Sequence, residues 1–478
     1  MQFSDLENKK IAIWGYGREG RAALGALRWK LMRTPVAIFC SEAEAKEIEQ
    51  LGDAALRIIT EEVTADLLAQ FEIVIKSPGI SPYRSPIPEA KARGVTFTSG
   101  TALWYGENPD ANDICVTGTK GKSTTAALIA HLLRATGARV GLAGNIGLPL
   151  LELLESEPEP DCWVVELSSF QAGDTISPDV AVVLNLFPEH LDWHGSEERY
   201  IADKLALVTR AKPLHVVLNA ADTRLAAFGR STALAGVGSE HNPAWGDLSP
   251  GSRVHWFNTR DGWHVLGNTL RRGEHEILDL KAMSLPGKHN HSNLCAALAA
   301  IEALGLDAMP VASKALRFQP LPNRLQSLGR REGREYINDS ISTTPHASLA
   351  ALDVFAGRRV AIIVGGYDRG IDWAPFVQRM NKEPPIAVIT MGQNGAQIMR
   401  DLIPATRGGR FFVHYAMEMG EAVRMAEQSL GADGVVLLSP GAPSFPRYQD
   451  YIERGRHFAQ MSGFDPKLIA AIPGLGIS

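Results

Sequence analysis

The segment "CVTGTKGKSTTAALIAHLL", residues 115–133, has the residue types needed to hold a polyphosphate. Ile114, Cys115 and Val116 read as a buried strand, Gly118 and Gly121 let backbone N–H groups turn inward, and a helix follows. Free amides at the helix start amount to about half a positive charge, which favours an anion. Lys122 can bridge outer phosphates, and the Ser123 or Thr124 hydroxyl can reach a magnesium ion. The match to G-x-x-x-x-G-K-[ST] is partial, because Val116 stands at the first glycine. An ordinary glycine-rich turn is the competing reading.

Two further segments bring metal chemistry near that loop. Glu166 ends the apolar run "CWVVEL", where a nucleotide triphosphatase carries its magnesium acid. "NLFPEHLDWHGSEERYIADK" concentrates Glu189, His190, Asp192, His194 and Lys204. His190 and His194 have an H-x3-H spacing, but no other His or Cys stands nearby at zinc-ligand spacing. A histidine beside a magnesium–phosphate site fits better. Lys204 falls in an apolar helix pattern, where spacing alone predicts a snorkelling surface residue.

Near the N-terminus, "KIAIWGY" reads as a strand leading into Gly15-Tyr16-Gly17-Arg18-Glu19-Gly20 and a helix. A dinucleotide site would want an acid about 20 residues on, ending the second strand. That strand ends in Cys40-Ser41, with Glu42 only nearby, so a phosphate-bearing ligand other than NAD is expected. Towards the C-terminus, three segments line a predicted cleft. They are "YINDSISTTPHAS" with Asn338, Asp339 and Thr343, "GGYDRGIDW" with Asp368 and Arg369, and "LSPGAPSFPRYQDYIERG" with Ser439, Ser444 and Arg447.

These sites need repeated strand–helix units, which the chain supplies along its length. "PVAIFC" and "FEIVIKSPGI" continue the first α/β unit, and "CWVVEL", "VAVVLNL" and "HVVLNA" extend the second. "GSRVHWFNTRDGWHVLGN" predicts a hairpin about Asp261-Gly262, part of a small antiparallel appendage. "NHSNLCAALAAIEALG" reads as a helix stopped by glycine, and the prolines of "FQPLPNRLQ" mark a boundary. "RRVAIIVGGYDRG", "PIAVITMG" and "GVVLLSPG" then give the strands of a third unit.

At 478 residues the chain has room for about three domains. A net charge of -5 gives no basic footprint, so nucleic acid is excluded as the expected partner. Cys40, Cys115, Cys162 and Cys295 stand singly among apolar residues and read as core thiols of a reducing compartment. The start "MQFSDLENKK" lacks an apolar leader, and no run reaches about 18 apolar residues, so a cytoplasmic protein without membrane association is expected.

Taken in order, "TGTKGKST", "GNIGLPL", "ELSSFQ", "NLFPEHLDWHGS", "YIADK", "PGKHNHSN", "LPNR", "NDS", "GGYDRG" and "LSPGAPSF" resemble the Mur ligases, and most closely their glutamate-adding group. The resemblance covers nearly the whole chain and implies a three-domain α/β architecture. Residues 1–108 would be a Rossmann-like domain binding the UDP-sugar, 109–321 a central ATP-binding domain with a small β appendage, and 322–478 a Rossmann-like domain for the amino acid. It implies that Gly15, Gly17, Ser77, Pro78, Gly79 and Asn145 bind the UDP-N-acetylmuramoyl substrate. Gly118, Thr119, Lys120, Gly121, Lys122, Ser123, Thr124, Asn293, Arg324 and Asp339 would bind ATP.

Ser123, Glu166, His190 and Lys204 would serve magnesium, with Lys204 carbamylated, and Lys122, His190 and Lys204 would be catalytic. Thr343, Arg369, Ser444 and Tyr451 would grip the incoming glutamate. The implied reaction activates the carboxylate of UDP-N-acetylmuramoyl-L-alanine as an acyl phosphate, which glutamate then attacks. A monomer is expected. Ile341 stands where many glutamate-adding relatives have lysine, and Pro443, Pro446 and Arg447 also depart from the usual motif. These departures favour the variant that adds L-glutamate, whose product a separate epimerase processes. D-glutamate remains the alternative. A folylpolyglutamate synthetase shares the central and C-terminal parts, but "SPGISP" argues for a UDP-sugar. An NAD oxidoreductase and a non-catalytic nucleotide switch fit less well.

Overall fold

The computed structural model describes residues 1–175, 177–233, 243–285, 287–368, 370–406, 409–469, 472 and 474–478, without the side chains of 192, 231–233 and 243. They form two compact units. One comprises Met1–Ser284, Lys288–Phe318 and Gly474–Ser478, the other Leu285–Gly287 and Gln319–Pro473.

The first unit contains two parallel sheets built on the same logic. Strands such as Ile11–Trp14 and Val36–Phe39 are apolar at consecutive positions because helices cover both faces of a parallel sheet. The strand order is Leu56–Ile59, Val36–Phe39, Ile11–Trp14, Ile73–Lys76, Thr96–Thr98. Trp14 lies opposite Lys76, so Gly15 and Ser77 leave neighbouring strands side by side, at the point where strand order reverses.

In the larger sheet Asp113–Thr117 is central, between Val180–Val183 and Cys162–Glu166. Val116 pairs with Glu166 and Thr117 with Val183. The phosphate loop therefore starts between the ends of two neighbours that each carry polar side chains onward. Helix Lys122–Arg134 follows the loop, its apolar residues buried against the sheet and helix Lys288–Ala303. Gly305, at φ +89°, ends the latter as the sequence predicts. At the sheet edge, Gly476–Ile477 pairs antiparallel with Val140–Gly144.

The appendage is present, but its hairpin is not at Asp261-Gly262. Arg253–Phe257 joins the large sheet in parallel with His215–Asn219. The small antiparallel sheet is Trp263–Leu266, Thr269–Arg272 and His275–Asp279, and its first turn is Gly267-Asn268. Gly262 is required for a different reason. A Cβ there would lie 2.4 Å from the Trp256 carbonyl, so the chain passes too close for any side chain.

The second unit is one six-stranded sheet in the order Gln326–Arg331, Arg334–Asn338, Gly434–Leu438, Val360–Val364, Ala387–Met391, Phe412–Ala416. Only the first pair is antiparallel. The four cysteines are free thiols, three of them buried. Among the described residues no helix is long and apolar enough to cross a membrane.

Candidate active site

Gly118 and Gly121 adopt φ +143° and +89°, which turns the loop back over its strand. A Cβ on Gly118 would lie 2.9 Å from the Leu184 side chain, and one on Gly121 would lie 2.4 Å from Asn293 Oδ1. Asn293 thus sits directly on the loop. Thr119 Oγ1 accepts the Phe187 N–H at 2.9 Å and lies 2.7 Å from the Tyr200 hydroxyl. The Lys120 N–H donates to Asn185 Oδ1 at 2.8 Å, and its ammonium pairs with Glu189. Burial pushes the Glu189 carboxyl up, but Lys120, with His190 and Lys122, outweighs it and the group is held below the usual range. Lys122 Nζ donates to the carbonyls of Gly118 and Thr119 at 3.0 Å each, folded over the cradle it would share with phosphate.

Glu166 is the centre of a polar cluster at the strand ends. Ser123 Oγ donates to Glu166 Oε2 at 2.6 Å, and Asn145 Nδ2 donates to Oε1 at 2.9 Å. The structure therefore places Asn145 beside Glu166. A serine hydroxyl, one carboxylate and the oxygens of a phosphate are hard donors suited to magnesium. Among the described residues no group of three or more His, Cys, Asp and Glu could hold a metal by itself. Such a site relies on nucleotide oxygens to complete it.

Lys204 does not snorkel. It is 2 % exposed, and its Nζ donates to the Gly118 carbonyl at 2.9 Å. Tyr200, Asp203 and Lys204 fall on one face of helix Glu197–Thr209, and that face packs inward rather than towards water. Burial, then the nearby Lys122 charge, pushes the Lys204 ammonium well below its usual range and favours the neutral amine. His190 holds a left-handed backbone, φ 54°, uncommon for a residue with a side chain. Its ring lies 5.4 Å from that of Phe170. His194 is fully buried on Asp203 and Ser169, so the H-x3-H pair makes no zinc site.

Gly15, Gly17, Ser77, Pro78 and Gly79 come together at the switch point of the first sheet. Ser77 Oγ donates to the Gly15 carbonyl at 3.1 Å, and a Cβ on Gly15 would lie 2.7 Å from Ser77 Oγ. Gly17 caps helix Arg18–Lys30, with open space where its side chain would be. In the second unit Asp339 accepts the Leu325 N–H at 3.2 Å and the Ser439 hydroxyl at 2.7 Å, and also bonds Ser342. Burial pushes its carboxyl up to about 6. Arg324 precedes Leu325, Thr343 leads into helix Pro345–Val354, and Tyr451 begins helix Tyr451–Met461. The Tyr448 N–H donates to the Ser444 carbonyl at 3.2 Å. Arg369 lies outside the described residues.

Sequence reasoning missed Asn185, Ser169 and Asp203. Asn185 follows an apolar strand just as Glu166 does, a signal that could have marked it. Asp203 could have been found from its one-turn spacing to Tyr200 and its place beside Lys204.

A central parallel sheet, a phosphate loop with a serine–glutamate pair and a desolvated lysine above it define an ATP-dependent ligase site. Residues 116–301 match the Mur ligase middle domain and 323–441 the Mur ligase glutamate ligase domain. The chain belongs to the Mur ligase family. It is 54% identical to the UDP-N-acetylmuramoyl-L-alanine--L-glutamate ligase of Xanthomonas euvesicatoria pv. vesicatoria (strain 85-10), with all of both chains covered. The enzyme of that name from Micromonospora sp. (strain ATCC 39149 / NRRL 15099 / SCC 1413) is 38% identical, over 96% of this chain and 98% of that one. Among solved structures, UDP-N-acetylmuramate-alanine ligase MurC from Thermotoga maritima matches with TM-score 0.57 at 20% identity, covering 95% of this chain and 99% of that one. MurF ligase from the same organism, in complex with ADP, matches with TM-score 0.55 at 14% identity, over 90% and 94% of the two chains. Both show the fold.

Proposed function

We propose that this ligase joins L-glutamate to the L-alanyl carboxylate of UDP-N-acetylmuramoyl-L-alanine, converting ATP to ADP and phosphate in peptidoglycan precursor synthesis. The observation that carries the reading is Lys204, a desolvated lysine held 2.9 Å from a phosphate-loop carbonyl, in a chain 54% identical end to end to an enzyme named for that reaction. Residues 1–108 hold the UDP-sugar, 109–321 ATP and 322–478 the amino acid. The enzyme acts as a monomer in the cytoplasm, where ATP and UDP-sugars are made, and its L-glutamyl product suits a separate epimerase.

Gly118 to Thr124 cradle the ATP phosphates, and the Lys122 ammonium turns from its loop carbonyls to the outer phosphates. Asn293 fixes the nucleotide at the loop, while Arg324 and Asp339 contact its phosphates and ribose. The acceptor carboxylate attacks the γ-phosphorus and ADP leaves, giving an acyl phosphate. The glutamate amine then adds to that carbonyl, loses a proton, and expels phosphate as the amide forms. Magnesium, when bound, neutralises charge on the phosphates. Ser123, Glu166 and His190 are the residues that would hold it. The neutral Lys204 amine adds carbon dioxide and releases a proton, becoming a carbamate whose anionic oxygens suit a second ion. Thr343, Arg369, Ser444 and Tyr451 orient the incoming glutamate.

The test is ADP and phosphate release with each substrate omitted in turn. Turnover is expected only with ATP, UDP-N-acetylmuramoyl-L-alanine and glutamate together. Release that ignores the nucleotide sugar would overturn the assignment.

A further inference from the structure

Four side chains outside the chemistry described above form one hydrogen-bonded chain within the first unit. Tyr83 donates its hydroxyl to Asp203 Oδ1. Asp203 Oδ2 meets His194 Nδ1 at 2.7 Å, and His194 Nε2 meets Ser169 Oγ at 3.0 Å. An ionised carboxylate can only accept, so Nδ1 carries the proton. In the neutral ring, Nε2 is then the acceptor for the Ser169 hydroxyl. His194 is fully buried, and Ser169 and Asp203 are nearly so.

The chain starts in the loop that follows Ile73–Lys76 and ends three residues beyond Glu166. The same loop is fastened to the same region by three more contacts. Ser81 Oγ donates to the Trp193 carbonyl at 2.6 Å, and Trp193 Nε1 donates to the Pro78 carbonyl at 3.1 Å. The Arg199 guanidinium stands 4.5 Å from the centre of the Tyr83 ring.

Helix Glu197–Thr209 is the junction. From one face, Tyr200 reaches Thr119 and Lys204 reaches Gly118, both in the phosphate loop, while Asp203 reaches Tyr83 and His194. One rigid turn of helix thus holds the phosphate loop and the 77–83 loop at a fixed separation. On the ligase reading, that separation determines whether the acceptor carboxylate arrives in line with the γ-phosphate, where about 1 Å of misplacement can cost about 100-fold in rate.

We infer that Asp203 is a positioning residue, which through Tyr83 and His194 registers the nucleotide-sugar loop against the phosphate loop. This rests on the proposed function. The lysine beside it belongs to the reaction, whereas Asp203 acts through its neighbours.

The experiment measures steady-state kinetics of the full-length wild type, Asp203→Asn, Tyr83→Phe and the double variant, varying UDP-N-acetylmuramoyl-L-alanine and ATP separately. Melting temperatures are taken alongside. Tyr83→Phe removes one hydroxyl and leaves the ring packed, so it decides the matter if Asp203→Asn does not fold. The expected result is a fall of about tenfold in kcat/KM for the nucleotide sugar with KM for ATP unchanged. The double variant should be no worse than Asp203→Asn. A raised KM for ATP, fully additive losses, or lower melting temperatures with unchanged kinetics would overturn the inference. An inactive wild type would instead overturn the proposed function, so the two failures are distinct.

Discussion

Ser123 Oγ lies 2.6 Å from Glu166 Oε2, linking the first turn of the helix after the phosphate loop to the end of a neighbouring strand. Val116 and Glu166 are register partners, so the sheet itself fixes this pair. Glu166→Gln keeps the shape and removes the charge. A kcat loss of about 100-fold is expected, with a higher magnesium requirement and an unchanged melting temperature. Magnesium titrations of activity check it.

Lys204→Ala should cost about 100-fold or more in kcat, because on the proposed function the carbamate would be lost with the amine. Added formate or acetate should restore part of the rate, since a small carboxylate would supply the anionic oxygens that the proposed carbamate provides. Wild-type enzyme held free of carbon dioxide should lose activity and regain it with bicarbonate. Failure of all three treatments would remove Lys204 from the chemistry.

Gly121→Ala meets two obstacles, the left-handed φ of +89° and Asn293 Oδ1 only 2.4 Å from the new Cβ. The first costs about 1–2 kcal/mol for a residue with a side chain. The expected outcome is a raised KM for ATP and a lower melting temperature. Adding Asn293→Ala relieves the crowding but not the backbone strain, so stability should return only in part.

The phosphate loop was legible because its glycines and Lys122 act locally, through backbone conformations that the sequence names directly. Glu166 was legible for a similar reason, as an acid ending an apolar run. The family resemblance named Lys204, but spacing did not reveal its burial, because that depends on which face of helix Glu197–Thr209 turns inward, which is set by tertiary packing. The Asp261-Gly262 hairpin failed on a related point. The dipeptide does sit at a turn, with the Gly262 N–H on the Thr259 carbonyl, but the strand before it found a parallel partner in the large sheet. The Asp203 chain was hidden because Tyr83 and Asp203 are 120 residues apart.

Glu19 gives a pH signature independent of catalysis. Burial, reinforced by Glu152 and Asp174 and opposed by Arg18, pushes its carboxyl from an ordinary 4.5 up to about 7. Between those values the folded chain binds a proton that the unfolded chain does not, so this contribution is fully present below pH 4.5 and is lost as pH rises through 7. The difference corresponds to at most about 3 kcal/mol, less after solvent screening. Glu19→Gln should therefore be more stable than wild type at pH 8 by about 1–2 kcal/mol and little different at pH 4.5. Denaturant melts at both pH values measure it.

The most direct measurement is phosphate release with UDP-N-acetylmuramoyl-L-alanine, ATP, magnesium and bicarbonate, run in parallel with enantiopure L-glutamate and D-glutamate and followed by product mass. Rapid release with L-glutamate, a product heavier by one glutamyl residue, and little turnover with D-glutamate are expected. Preference for D-glutamate, or no product with either, would contradict the account.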